Sequence, residues 1–271
     1  MSRVTLPNAS RSSLPGTRPA GAQDEAAAAR QVREMFSRIA PRYDFLNHLL
    51  SLQFDRLWRR RVTRRFRHIL WRPEARVLDL CCGTGDLTLA LARAGVAAVF
   101  GSDFAHPMLE RALEKSAVPV KETAAPNRPT AGASRSARGY AEADALALPF
   151  ANASFDLVTA AFGFRNLANY ERGLHEIHRV LRPGGEVGIL EFGEPRGSVF
   201  GPLYRFYFRR ILPRLGGVIS GNSTAYSYLP SSVATFPEPE DLAALMSRAG
   251  FRAVRFEVWT AGIVALHCGQ K

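Results

Sequence analysis

VLDLCCGTGD, residues 77–86, decides the fold. A short apolar strand ends in a turn on Gly83 and Gly85 and opens directly into a helix at Asp86. Such a turn lets a ligand approach the backbone closely and presents the unpaired N–H groups of a helix start. The glycine spacing is not GxGxxG and no Lys-Ser/Thr pair follows, which disfavours a pyrophosphate. Downstream, the apolar runs AAVFGSD at 97–103, FDLVTAAF at 155–162 and EVGILEF at 186–192 alternate with helical stretches at 86–93, 107–116 and 170–181. Pro183, Gly184 and Gly185 stop the last of these helices, and a short strand is expected near Tyr140. Strands alternating with helices predict a mostly parallel, doubly wound α/β sheet covered on both faces. Two closing strands are expected at 252–259 and 263–268.

Moving outward, Asp103 ends the strand after Asp79, where a Rossmann-like sheet places the acid that accepts ribose hydroxyls. A glycine turn with an acid on either side therefore points to a nucleoside ligand. This arrangement resembles the Rossmann-like S-adenosylmethionine-dependent methyltransferases. The resemblance implies cofactor contacts from Asp79, Gly83, Thr84, Gly85 and Asp103, and adenine contacts from Asp144 and Ala145. Cys81 and Cys82 lie within the turn with no base beside them, and read as small packing residues.

Toward the amino terminus, residues 1–22 are rich in Ser, Pro, Gly and Arg, contain no acid and are predicted to form a disordered tail. A helix from about residue 23 runs to Ala40, where Pro41 stops it. A second begins near Asp55, with Trp58, Val62, Phe66 and Ile69 at spacings of three and four and arginines over the other faces. Residues 23–72 thus read as a helical cap on a core at 73–271, in a single domain from residue 23 onward. Pro119, Pro126, Pro129 and Gly132 mark a flexible insertion at 117–139.

The whole chain has 271 residues, 46% hydrophobic and 22% charged, with a formal charge of +12 that is read either as suiting an acidic partner, nucleic acid or an anionic membrane surface, or as compositional bias of the genome. Charged residues interrupt every apolar run, so no spanning helix is expected. Cys81, Cys82 and Cys268 have no CxxC spacing; neither a disulfide framework nor a metal site is expected, and a reducing cytoplasmic setting fits.

Longer stretches carry a closer likeness. YDFLNHLLSLQFDRLW at 43–58, LPFANASFD, FGFRN at 162–166, RVLRPGGEVGILEFG at 179–193, YSYLPSSV at 226–233 and the closing GIVALHCGQK are similar to the ubiquinone/menaquinone biosynthesis C-methyltransferases. The resemblance covers about residues 30–271 and implies a Rossmann-like core with an antiparallel last strand, S-adenosyl-L-methionine as methyl donor, and a prenylated quinol as acceptor. The most favoured reaction is demethylmenaquinol to menaquinol, with the ubiquinone precursor as the alternative. This chain departs from the family pattern at Leu46, Asp55, Gly193 and Asn222, and Ala161 stands where a Ser often touches the cofactor.

Methylating a ring carbon requires the adjacent hydroxyl to ionise, so the site must stabilise a phenolate and align the ring. Arg165 keeps its proton and is assigned the phenolate; Asn166 is assigned orientation of the ring oxygens. Tyr43, Asp44 and Asn47 are candidates for closing the site, with Asp44, His48 or water as proton acceptor. His175, His178 and His267 read as packing or surface residues. A tailed quinol resides in the bilayer, and the Arg-rich helix with residues 200–215 suits contact with the inner membrane face. A homo-oligomer is left open. A nucleic-acid methyltransferase would account for the charge, but no N/D-P-P-Y/F motif follows the fourth strand, so no nucleic-acid partner is expected. A non-catalytic cofactor-binding scaffold is the remaining rival.

Overall fold

The computed structural model describes residues 16–44, 53–117, 138–193, 195 and 223–271. Seven strands form one sheet: β1 (Arg76–Leu80), β2 (Ala98–Asp103), β3 (Arg138–Glu142), β4 (Phe155–Ala161), β5 (Leu181–Phe192), β6 (Arg252–Trp259) and β7 (Val264–Gln270). Their order is β3-β2-β1-β4-β5-β7-β6. All pairs are parallel except those of β7, which runs antiparallel to both β5 and β6. The expected antiparallel last strand is therefore present. The order reverses direction between β1 and β4, and it is outside the carboxyl ends at such a reversal that open α/β sheets bind ligands.

Alternation along the strands divides the core in two. Leu78 and Leu80 of β1 join Val158, Val187 and Ile189 on one face, under α5 (Tyr170–Val180) and α7 (Pro239–Arg248). Val77 joins Val99, Leu157 and Leu266 on the other, under α2 (Phe54–Arg65) and α3 (Asp86–Ala94). In α2 the buried stripe is Trp58 and Val62, continued by Phe66, as the spacing predicts. The cap is shared out: α1 (Glu25–Ile39) packs on α4 (His106–Ala117) and on α6 (Ser223–Thr235), whereas α2 packs on α3.

Three expectations change. The helix at 170–181 ends at Val180, and Leu181 already starts β5, so Pro183, Gly184 and Gly185 lie within the strand's irregular entry. The helices α6 and α7 were not anticipated. The tail predicted through residue 22 is fixed from Gly16 onward: Thr17 N–H donates to the Leu167 carbonyl at 2.8 Å, and an Arg18 guanidinium N–H donates to the Ala168 carbonyl at 2.7 Å. Gly16 lies so close to the 168–169 backbone that a Cβ would come within 2.2 Å of the Ala168 carbonyl carbon. Backbone hydrogen bonding overrides a composition that reads as disordered. Residues 1–15, most of the 117–139 insertion, the 200–215 stretch, Leu46, Asn47, His48 and Asn222 lie outside the described residues.

Candidate cofactor and acceptor site

The glycine turn sits at the carboxyl end of β1, with Gly83 and Gly85 at φ of +54° and +81°. A side chain at Gly85 would be strained by that φ and would approach the Tyr140 hydroxyl to 2.8 Å. Asp103, at the end of β2, holds the turn: one carboxylate oxygen accepts Gly83 N–H at 2.9 Å, and the other accepts Ala105 N–H at 2.9 Å. Each oxygen keeps a lone pair for a further donor. Burial raises the Asp103 carboxyl above its ordinary value, against the lowering effect of these N–H groups. Beyond β3, Asp144 accepts Leu146 N–H at 2.9 Å and forms a small turn under Ala145.

These groups line one pocket of about 690 Å³ including its open mouth, within the size range of small-molecule sites. Gly83, Asp103, Asp144 and Ala145 form one end; Tyr43 of the cap and Asn166 after β4 also line it. Phe104, Met108 and Leu146 add apolar walls. Of the residues singled out from sequence, six therefore converge: Tyr43, Gly83, Asp103, Asp144, Ala145 and Asn166.

The others stand behind the lining. Asp79 is wholly buried and accepts the Thr88 hydroxyl at 2.6 Å and the Thr159 hydroxyl at 2.9 Å, tying β1 to α3 and β4. Burial pushes its pKa up to about 7, despite the lowering effect of the hydroxyls. Thr84 and Asp44 belong to a polar latch. The Thr84 hydroxyl donates to Asp44, and Lys115 donates to Asp44 at 2.9 Å, to Thr84 at 3.0 Å and to Asp86 at 2.5 Å. The latch fastens the cap at Asp44 to the glycine turn, and Lys115 was not singled out from sequence. Gly85 shapes the turn, and Ala161 ends β4 without lining the pocket.

On the acceptor side, Phe164–Asn166 form a single helical turn after β4. The Arg165 guanidinium is buried and paired with Glu191 at 2.9 Å, and it also donates to the Phe162 carbonyl. Glu191 also accepts Arg165 backbone N–H at 3.0 Å. Burial opposes the guanidinium charge, but Glu191 outweighs it and the pKa lies above the ordinary arginine value. Arg165 Nη1 is thus engaged behind the wall and Nε is buried without a hydrogen-bond partner, while the adjacent Asn166 lines the pocket. Glu191 was missed in the sequence, although an acid inside the apolar run GILEF is the signal that could have found it. The Asn166 Oδ1 accepts the Tyr228 hydroxyl at 3.1 Å, another partner that no local pattern indicates.

Burial pushes both turn thiols well up; Cys81, read from sequence as a packing residue, also lines the pocket. His267 is buried against the Pro239 carbonyl, and burial lowers its pKa. Among the described residues no cluster of metal-ligating side chains occurs, and no helix is long and apolar enough to cross a membrane.

A model of the ubiE/COQ5 methyltransferase family matches residues 23–271. The chain is 50% identical over 238 residues to the demethylmenaquinone methyltransferase of Thermus thermophilus, covering 88% of this chain and 100% of that one. It is 46% identical over 241 residues to the enzyme of the same name from Deinococcus radiodurans, covering 89% and 92%. Among solved structures, a S-adenosylmethionine-dependent methyltransferase of Thermotoga maritima shares the fold at TM-score 0.52 and 18% identity, covering 89% of this chain and 99% of that one.

Proposed function

The chain belongs to the ubiE/COQ5 methyltransferase family, and on that premise we propose that it transfers a methyl group from S-adenosylmethionine to a ring carbon of a prenylated quinol, converting demethylmenaquinol to menaquinol. The observation that carries this reading is the convergence of Gly83, Asp103 and Asp144 with Asn166 on one pocket at the sheet's reversal point. The residues fit the donor: Asp103 keeps lone pairs for ribose hydroxyls, Gly83 leaves the backbone open to approach, and Ala145, Leu146 and Met108 provide apolar contact for a flat base. When bound, S-adenosylmethionine supplies an electrophilic methyl on its sulfonium.

The chain's own residues act on the acceptor. A neutral ring carbon is a weak nucleophile, and ionising the neighbouring hydroxyl raises its electron density. Asn166 offers amide N–H groups to that oxygen in a site where Phe36, Tyr43 and Phe162 exclude water. Arg165, held by Glu191, fixes the turn that carries Asn166. Tyr43 covers the glycine turn from the cap, and the Lys115–Asp44 latch keeps that cap in place. The hydroxyl proton and, after carbon–carbon bond formation, the ring proton pass to water at the open mouth of the pocket, restoring aromaticity, while the electrons of the broken carbon–sulfur bond would depart with S-adenosylhomocysteine.

The tail of such a quinol lies in a bilayer. The exposed surface of α2 and the turn after it carries Arg56, Arg60, Arg61, Arg64 and Arg67 with half-exposed Phe54, Leu57 and Trp71, a composition suited to an anionic membrane surface. Arg59 and Arg65 turn inward, toward Asp55 and Glu186. The experiment for the function is the quinone profile of the source cells with and without this gene, read by mass spectrometry. Loss of the methylated quinone with accumulation of its demethyl form is expected; an unchanged profile contradicts the proposal.

A further inference from the structure

We propose that Tyr228 is a positioning residue whose hydroxyl, oriented by Thr17, fixes the Asn166 carboxamide with its NH2 group toward the acceptor. The argument is one of hydrogen-bond direction. Tyr228 Oη lies 3.1 Å from Asn166 Oδ1 and 3.1 Å from Thr17 Oγ1. An amide oxygen only accepts, so the single phenolic proton goes to Asn166. The Thr17 hydroxyl must then donate to Tyr228. In the structure Oδ1 is the amide atom that faces Tyr228, and the chain Thr17 Oγ–H to Tyr228 Oη–H to Asn166 Oδ1 is the direction that matches this placement; the reverse chain belongs to the flipped amide. Asn166 Nδ2 meets no acceptor among the described residues, and Asn166 lines the pocket. Both N–H groups are therefore available to a ring oxygen that becomes negative.

The surroundings enforce this order. Thr17 is itself buried, and its backbone N–H is bound to the carbonyl of Leu167, the residue after Asn166, so the segment at 16–18 is tied to the Asn166 turn. Tyr170 donates to the Arg165 carbonyl at 3.0 Å and holds the same turn from below. Burial raises the pKa of Tyr228, so it remains a donor throughout the neutral range. Thr17 lies upstream of residues 23–271, which the family model matches.

The inference rests on the proposed quinol reading, but part of its test needs no substrate. In side-chain amide NMR, Tyr228→Phe should displace the Asn166 NH2 resonances and bring their exchange closer to that of a free carboxamide; unchanged resonances overturn the proposal. In single-turnover methyl transfer to a short-tail quinol, Tyr228→Phe should lower kcat on the order of tenfold, since misdirecting one oxyanion donor approaches the effect of removing it. KM for the quinol and affinity for S-adenosylhomocysteine should stay within about twofold, the scatter expected where no direct contact is lost. Combining Tyr228→Phe with Asn166→Ala should cost no more than Asn166→Ala alone. Thr17→Val should lower kcat severalfold and Thr17→Ser should restore it. Additive losses, or equal behaviour of the Val and Ser variants, would overturn the relay even if the NMR change appeared. A wild type that shows the NMR signature without transferring methyl to quinol would overturn the function and leave the relay standing.

Discussion

The two ends of the pocket are built in opposite ways. The donor end is nearly contiguous: Gly83 is fixed by Asp103 twenty positions on, within one β-α-β unit. The acceptor end is assembled from afar. Asn166 meets Tyr228 across 62 positions, Tyr228 meets Thr17 across 211, and Arg165 meets Glu191 across 26. A locally built end can lose a ligand contact with little effect on the rest of the fold. The distant end makes the same buried residues serve stability and chemistry together, so substitutions there should affect both.

The largest break in this contrast should come at Glu191. Replacing it with Ala leaves the Arg165 guanidinium buried and uncompensated, which costs about 3–5 kcal/mol of folding stability. Urea unfolding measures this, and a loss below about 1 kcal/mol would mean that the pair is solvated. Arg165→Lys is expected to retain cofactor binding while losing most methyl transfer, since the shorter-reaching, more strongly hydrated ammonium has to replace Arg165 Nη1 at both Glu191 and the Phe162 carbonyl from within a buried site.

Asp103→Ala tests the donor end. Removing a charge-assisted acceptor should weaken S-adenosylmethionine binding by about 1.5–3 kcal/mol. Gly83 and Ala105 N–H groups lose their partner as well, so some loss of stability should accompany it, smaller than that of Glu191→Ala. Calorimetric titration with a thermal scan separates the two effects. Unchanged affinity would remove Asp103 from the ribose site.

Asp79 gives a subtler test, because its role in binding the two threonines is structural. Its folded pKa of about 7 lies above the roughly 3.9 of an unfolded aspartate. The folded state therefore keeps a proton where the unfolded state has lost it, and stability falls as pH rises from about 4 to about 7, then levels off. Asp103 is raised in the same direction, so the informative quantity is the difference between wild type and Asp79→Asn. The Asn variant should show a flatter pH profile of urea midpoints; parallel profiles would mean that Asp79 is ionised throughout.

The smallest effect is expected at the surface. Replacing Arg56, Arg60, Arg61 and Arg64 with Gln should weaken co-sedimentation with anionic vesicles by on the order of 1 kcal/mol per charge, with the difference vanishing at high salt. Activity on a soluble short-tail quinol should be unaffected. Equal vesicle binding at low ionic strength would leave the exposed arginines as a solvated face.

The same contrast explains what the sequence could tell. Short apolar runs and the glycine turn encode β1, β2, β4 and β5 locally, Asp103 follows from its place at a strand end, and Asp144 follows from the family resemblance. The helix α7 was also encoded, with Pro239 at its start, Glu240 and Asp241 in its first turn and Leu242, Leu245 and Met246 on one side. Thr17 was not legible, since a segment rich in Pro, Gly and Ser becomes ordered only through the Leu167 and Ala168 carbonyls it meets in three dimensions. Nor was the burial of Arg165: its neighbours in sequence do not reveal that Glu191 takes up its charge.

The most direct measurement is transfer of labelled methyl from S-adenosylmethionine to demethylmenaquinol by the purified protein under reducing conditions, with the product ring analysed by mass spectrometry. The account predicts label on a ring carbon with the wild type. It also predicts strongly reduced transfer by Asn166→Ala, which still binds S-adenosylhomocysteine. Cofactor binding by the wild type without label on the ring, or full transfer by Asn166→Ala, would contradict it.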